Sequence, residues 1–120
     1  MKVAVISDTH TRGKSRPVPP GVWPYLGAAD HILHAGDVTD PSLLDEMKSL
    51  APVTVVMGNC DGMDIREWGA PEETTVELGG VKISMLHDSG VSTGRRRRMQ
   101  ALFPGSRVVV FGHSHLPVNE

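Results

Sequence analysis

Seven residues of this 120-residue chain have the types and spacing to hold metal ions. Asp8 and His10 stand in Asp-Thr-His, Asp37 follows Gly36, and Asn59 lies in Gly-Asn-Cys-Asp at 58–61. His87 follows Leu86, and His113 and His115 stand in Gly-His-Ser-His at 112–115. Each piece alone is common in turns. Their register is not: every one follows directly on a short apolar run. Seven groups are too many for one four-coordinate zinc, but enough for two adjacent ions if one carboxylate bridges them. Carboxylate and amide oxygens mixed with imidazoles suit Mn²⁺, Fe, Zn²⁺ or Ni²⁺ better than Ca²⁺. Two divalent ions, less the charges of Asp8, Asp37 and a bridging hydroxide, leave a net positive pocket that attracts a phosphate ester.

The elements that must position these groups are legible as β-branched runs. Lys2 to Ser7, His31 to Ala35, Val53 to Met57, Val81 to Leu86 and Arg107 to Phe111 read as strands. Several are apolar almost throughout, as in sheets covered on both faces. Glu73 to Leu78, Gly79-Gly80 and Val81 to Leu86 carry a hairpin signature. Asp40-Pro41 caps and opens a helix whose stripe is Leu43, Leu44, Met47, Leu50 and Ala51, and Pro52 stops it. A second helix is predicted from Ser92 or Thr93, burying Met99, Leu102 and Phe103. A short one is expected between Pro19 and Ala29. This alternation predicts an α/β fold with an antiparallel or mixed portion. Ligands then gather at the carboxyl ends of strands, and the glycines before Asp37, Asn59 and His113 are expected to supply sharp turns.

Composition excludes several classes. Thirteen Gly and nine Pro break any long heptad pattern, and the lone Cys60 allows no intramolecular disulfide. No apolar run approaches the ~18 residues of a membrane span. A net charge of −2 gives no footprint for nucleic acid. Length fits one domain over 1–120, and the absence of an export signal leads to the expectation of a cytoplasmic protein with a reduced thiol. Six histidines outnumber the aromatics, and four of them fall in the proposed site.

At these positions the sequence resembles the calcineurin-like metallophosphoesterase superfamily, and its Gly-Asn-Cys-Asp form resembles the YfcE-type small phosphodiesterase branch. The resemblance implies a four-layer α-β-β-α sandwich with a dinuclear centre. It further implies that Asp8, His10 and His115 bind one metal, Asp37 bridges, and Asn59, His87 and His113 bind the other, with Asp37, Asn59 and His113 as the catalytic candidates. The cofactors would be two divalent ions, manganese foremost, with zinc, iron or nickel as alternatives. The implied reaction is hydrolysis of a small phosphate ester or nucleotide-like phosphodiester by a metal-bridging hydroxide. Where many members carry a His after the Asn, this chain has Cys60, which puts general-acid assistance in doubt. Asp88 and Ser89 stand where the branch has Gly and His. Relatives continue past the Gly-His-Ser-His motif with closing strands, so the expected fold lacks those C-terminal strands.

A second reading, from a different class, is a non-catalytic metal-binding or protein-interaction scaffold. A homo-oligomer is left open. His31 and His34 are expected to be structural, Cys60 a small and partly buried filler, and Arg95 to Arg98 a mostly solvated helix face. Trp23 and Trp68 are expected to pack at helix or loop edges.

Overall fold

The computed structural model describes residues 1–120. Three parallel strands, β1 (Val3–Ile6), β2 (His31–His34) and β3 (Val53–Val55), form one sheet in that order. A second sheet has β4 (Glu73–Leu78) antiparallel to β5 (Val81–Leu86), and β6 (Val108–Val110) parallel to β5. Gly79 and Gly80, at φ 57° and 79°, make the predicted hairpin turn.

The side-chain alternation of each strand separates two apolar layers. Ile32 and Val55 point from the first sheet toward α1 (Trp23–Gly27), α2 (Pro41–Lys48) and α3 (Met63–Trp68), joining Leu26, Leu43, Leu44, Met47 and Ile65 in one buried cluster. Leu33 and Val56 face the other way and meet Ile83 and Met85 of β5 between the sheets. On the far face of the second sheet lies α4 (Arg95–Leu102), which buries Met99. Beneath it a chain of hydroxyls joins Thr75, Ser84 and Ser106, which lets Ser84 be fully buried without an unpaired donor. The order of layers is therefore helices, sheet, sheet, helix.

Local chemistry sets most boundaries. Asp40 caps α2 by accepting the Ser42 N–H, and Pro41 occupies the first turn. The predicted stripe of α2 is corrected at one position: Leu50 lies beyond the last turn and is 44% exposed, whereas Leu44 is fully buried. On α4, Leu102 is likewise exposed and Phe103 half-buried, so Met99 is the one buried apolar side chain of the predicted three. The helix α3 was not foreseen, because Ile65 is its one buried residue. It is tied to α2 by the Trp68 Nε1–H, which donates to Asp45 at 2.9 Å. Trp23 packs against the edge of the helical core, as expected.

Leu44→Ala is expected to cost about 2–5 kcal/mol, while Leu50→Ala should stay within about 0.5 kcal/mol of the parent. Urea unfolding of the two variants measures the difference, and equal losses would contradict this packing.

Candidate metal centre

All seven predicted ligands meet at the carboxyl ends of the strands. The loop after β1 zips along the loop after β2: Asp8 N–H donates to Gly36 O, His10 N–H to Asp37 O and Thr11 N–H to Val38 O, each at 2.9 Å. The second sheet joins through the His87 side chain, and Gly112 N–H donates to His87 O at 2.9 Å. Asp37, only 2% exposed, is the point of convergence. Its Oδ2 lies 3.5 Å from His10 Nε2 and 3.2 Å from His87 Nε2. Asp8 Oδ1 lies 3.3 Å from His115 Nε2 and 3.7 Å from His87 Nε2. Asn59 Oδ1 sits 3.0 Å from His87 Nε2 and 3.1 Å from His113 Nδ1.

The backbone at these positions is unusual, in a way that differs from expectation. Gly36 alone of the three predicted turn glycines has a positive φ. The left-handed residues are mostly the candidate ligands themselves: Asp8, His10, Asp37, His113 and His115, at φ between 45° and 74°. Non-glycine residues there store about 1–3 kcal/mol each. Gly58 and Gly112 are required for a separate reason, close approach. A Cβ at Gly58 would collide with Asp37, and one at Gly112 with Ser7 and Asp8.

The hydrogen-bond chemistry fits bound cations. His87 Nδ1–H donates to Ala35 O at 2.7 Å, which leaves its Nε2 lone pair facing Asn59 Oδ1 and Asp37 Oδ2. Acceptor opposes acceptor there unless a metal ion, or a second proton on the ring, lies among them. Asp8 Oδ1 and His10 Nε2 are buried with no hydrogen-bond partner at all. Burial opposes ionisation of Asp8, but the Ser7 hydroxyl, the His113 N–H and the imidazoles of His87 and His115 outweigh it, holding the carboxyl below its ordinary value. Possible three-donor groups are Asp8–His10–His115, Asp8–Asp37–His87 and His10–Asp37–Cys60.

Several supporting residues carry no ligand signature. The Asp61 carboxylate accepts the N–H groups of Asp37, Thr39 and Gly58, each at 2.8 Å, and so pins the β2 and β3 loops together. Its place at the end of Gly-Asn-Cys-Asp is the only sequence signal for this. The guanidinium of Arg98 clasps the carbonyls of Ser89, Val91 and Thr93, fixing the loop after His87. Arg95 is buried and stacks 4.7 Å over Phe111. Arg96, Arg97 and Arg98 are exposed, as expected of a mostly solvated helix face, and Arg95 is the exception. Cys60 is exposed rather than partly buried. His31 bonds Thr54, a structural role. His34 is fully buried: its Nδ1 accepts the Gly36 N–H at 3.1 Å, and its Nε2 then donates to Thr9 Oγ1 at 3.0 Å. It thereby braces both ligand loops from below.

A model of the calcineurin-like phosphoesterase superfamily domain matches residues 1–120. The chain belongs to that superfamily. A relative described as a "probable metallophosphoesterase" from Methanocaldococcus jannaschii is 35% identical over 98% of this chain and 60% of its own. The chain thus spans about three-fifths of that relative's length. Vacuolar protein sorting 29 from Cryptosporidium parvum shares the fold, with a TM-score of 0.82 and 24% identity over 98% of this chain and 67% of that one. So does wild-type Vps29 complexed with Zn²⁺ from Entamoeba histolytica, with a TM-score of 0.81 and 24% identity over all of this chain and 68% of that one. The α/β organisation with a mixed sheet, expected from the strand and helix pattern, and the four-layer order implied by the resemblance are both displayed.

Burial depresses the His34 pKa from 6.5 to about 4, a shift the Asp8 and Asp37 charges only partly offset. The folded chain refuses a proton that the unfolded chain accepts, so stability falls as pH drops from about 6.5 toward 4. The slope contributed by this group approaches about 1.4 kcal/mol per pH unit. His34→Gln should flatten that limb of a stability–pH curve measured by denaturant unfolding. An unchanged slope would remove His34 from the account.

Proposed function

We propose that this calcineurin-like phosphoesterase domain is a metal-dependent phosphodiesterase using two divalent ions, with manganese the preferred metal. What carries the reading is the convergence of mutually facing acceptors on buried Asp37, whose Oδ2 lies between His10 Nε2 and His87 Nε2. In this reading Asp8, His10 and His115 would hold one ion and Asn59, His87 and His113 the other, with Asp37 available to both. Such ions, when bound, acidify a water and clamp phosphoryl oxygens. The residues themselves set position. The Ala35 carbonyl fixes the His87 tautomer, and Asp61 holds the backbone from which Asp37 and Gly58 project.

The substrate reading follows from what flanks the cluster. Position 60 offers an exposed thiol, and desolvation together with the Asp37, Asp61 and Asp8 carboxylates raises its pKa. It is a weak partner for a departing alkoxide, which favours esters with good leaving groups. Asp88, 3.8 Å from His113 Nε2, adds negative charge at the rim. That charge disfavours dianionic monoesters relative to monoanionic diesters. A small phosphodiester is therefore the proposed substrate class.

A non-catalytic scaffold is the second reading. It is supported by an apolar groove of about 410 Å³ whose wall includes exposed Val5, Val108, Leu116 and Val118, and by the likeness to vacuolar protein sorting 29 in fold.

Protein reconstituted with Mn²⁺ is expected to hydrolyse bis(p-nitrophenyl) phosphate faster than p-nitrophenyl phosphate. Asp37→Ala should lower both metal content and turnover, the latter by more than about a hundredfold, beyond what loss of an outer partner costs. Leu50→Ala should change neither. Two bound metals without turnover of either ester would favour the scaffold.

A further inference from the structure

Cys60 is the only cysteine of the chain, and it is exposed. Its backbone is nonetheless fixed to the metal centre. The Cys60 N–H donates to Asp37 Oδ1 at 2.8 Å, and the next residue, Asp61, accepts the N–H groups of Asp37, Thr39 and Gly58. The thiol is therefore anchored from both sides rather than carried on a free loop. One ligating atom from each of Cys60, His10 and Asp37 lies within 4.8 Å of the other two.

Independent of the cysteine, two orphaned atoms mark this side of the centre. His10 Nε2 is buried without a hydrogen-bond partner, 3.5 Å from Asp37 Oδ2 and 3.9 Å from Asp8 Oδ1. Asp8 Oδ1 has no partner either, on a side chain only 10% exposed. Buried polar atoms are ordinarily paired. His10 belongs to two donor groups, Asp8–His10–His115 and His10–Asp37–Cys60. An ion at His10 thus has two sets of partners within reach, and only the second contains sulfur. Donors around a tetrahedral zinc lie about 3.3–3.6 Å apart. A small swing of the exposed Cys60 side chain is enough to close that set.

We propose that Cys60 is an eighth ligand, reserved for thiophilic divalent ions: it joins zinc or a similar ion at His10 and Asp37, and stays out when the ion is manganese. The inference rests on the metal-centre reading above. Carboxylates and imidazoles accept both kinds of ion, whereas a thiolate strongly favours the softer one. On coordination the S–H bond breaks, its electron pair forms the sulfur–metal bond, and the proton passes to solvent, so no oxidant or reductant is involved. Manganese then serves turnover, and an ion held through sulfur competes with it.

The test uses the full chain and Co²⁺, whose absorption spectrum reports its ligands. The parent loaded with Co²⁺ is expected to show a near-ultraviolet sulfur-to-cobalt charge-transfer band, and Cys60 is the one thiol that can supply it. Cys60→Ser should abolish the band while cobalt, measured by elemental analysis, stays bound. In competition titrations the same variant should weaken Zn²⁺ binding at least about tenfold and leave Mn²⁺ binding within about twofold. Bound Zn²⁺ should also slow the reaction of the parent's thiol with a disulfide reagent, a measurement that needs no variant. Bound cobalt without a sulfur band, a thiol that reacts equally fast with and without Zn²⁺, or equal effects of Cys60→Ser on Zn²⁺ and Mn²⁺ would overturn the proposal and leave the metal centre standing. A parent chain that binds none of the three ions would overturn the metal-centre reading, and this proposal with it.

Discussion

The Asp37 carboxylate is the constraint on which the rest of the molecule depends. It is nearly inaccessible to water, and every covalent segment that reaches it comes from a different strand end. Its Oδ1 accepts the Cys60 N–H at 2.8 Å, its backbone N–H is held by Asp61, and its carbonyl receives His10 N–H. Its remaining oxygen meets histidines from both sheets. A buried carboxylate without compensating charge is costly. The fold supplies N–H donors on one side and gathers imidazole and carboxylate groups on the other, an arrangement suited to bound cations.

The two-sheet architecture is what makes that convergence possible. β1, β2 and β3 run parallel, so their carboxyl ends share one edge. β5 and β6 run parallel in the second sheet and bring His87 and His113 to the same edge. The small apolar layer of Leu33, Ala35, Val56, Ile83 and Met85 sets the spacing between the sheets. Because Ala35 both belongs to that layer and accepts the His87 Nδ1–H, packing and ligand orientation are fixed by the same residue. The left-handed ligands show that the backbone bends to the site: strain of this kind persists only where surrounding contacts over-determine it, and here they are the loop-to-loop N–H donations and the His34 brace.

Much of this was legible in the chain. The apolar runs ending in Asp, His or Asn predicted both the strands and the clustering, and all five became strands, four of them one or two residues shorter and one of equal length. They shorten where the last residues leave the ladder to serve the site: Ser7 bonds the Asp8 carboxylate, and Met57 N–H turns aside to Pro71 O. What was not legible depends on distance in three dimensions. Gly58 and Gly112 look like turn glycines in sequence, but they serve close approach to carboxylates more than 20 residues away in one case and more than 100 in the other. Leu50 fits a helical stripe yet lies past the point where α2 stops. The helix α3 has too few apolar residues to show a period. Of the four arginines read as a mostly solvated face, only Arg95 departs from it, because Phe111, distant in sequence, is brought beside it.

The central claim is that Asp37 lies between two metal ions. It is tested most directly by anomalous diffraction from crystals of the chain grown with Mn²⁺. The account predicts two anomalous peaks about 3.5–4 Å apart, on either side of Asp37 Oδ2, one beside His10 and His115 and the other beside His87 and His113. A single peak, or two peaks that do not share Asp37, would contradict it.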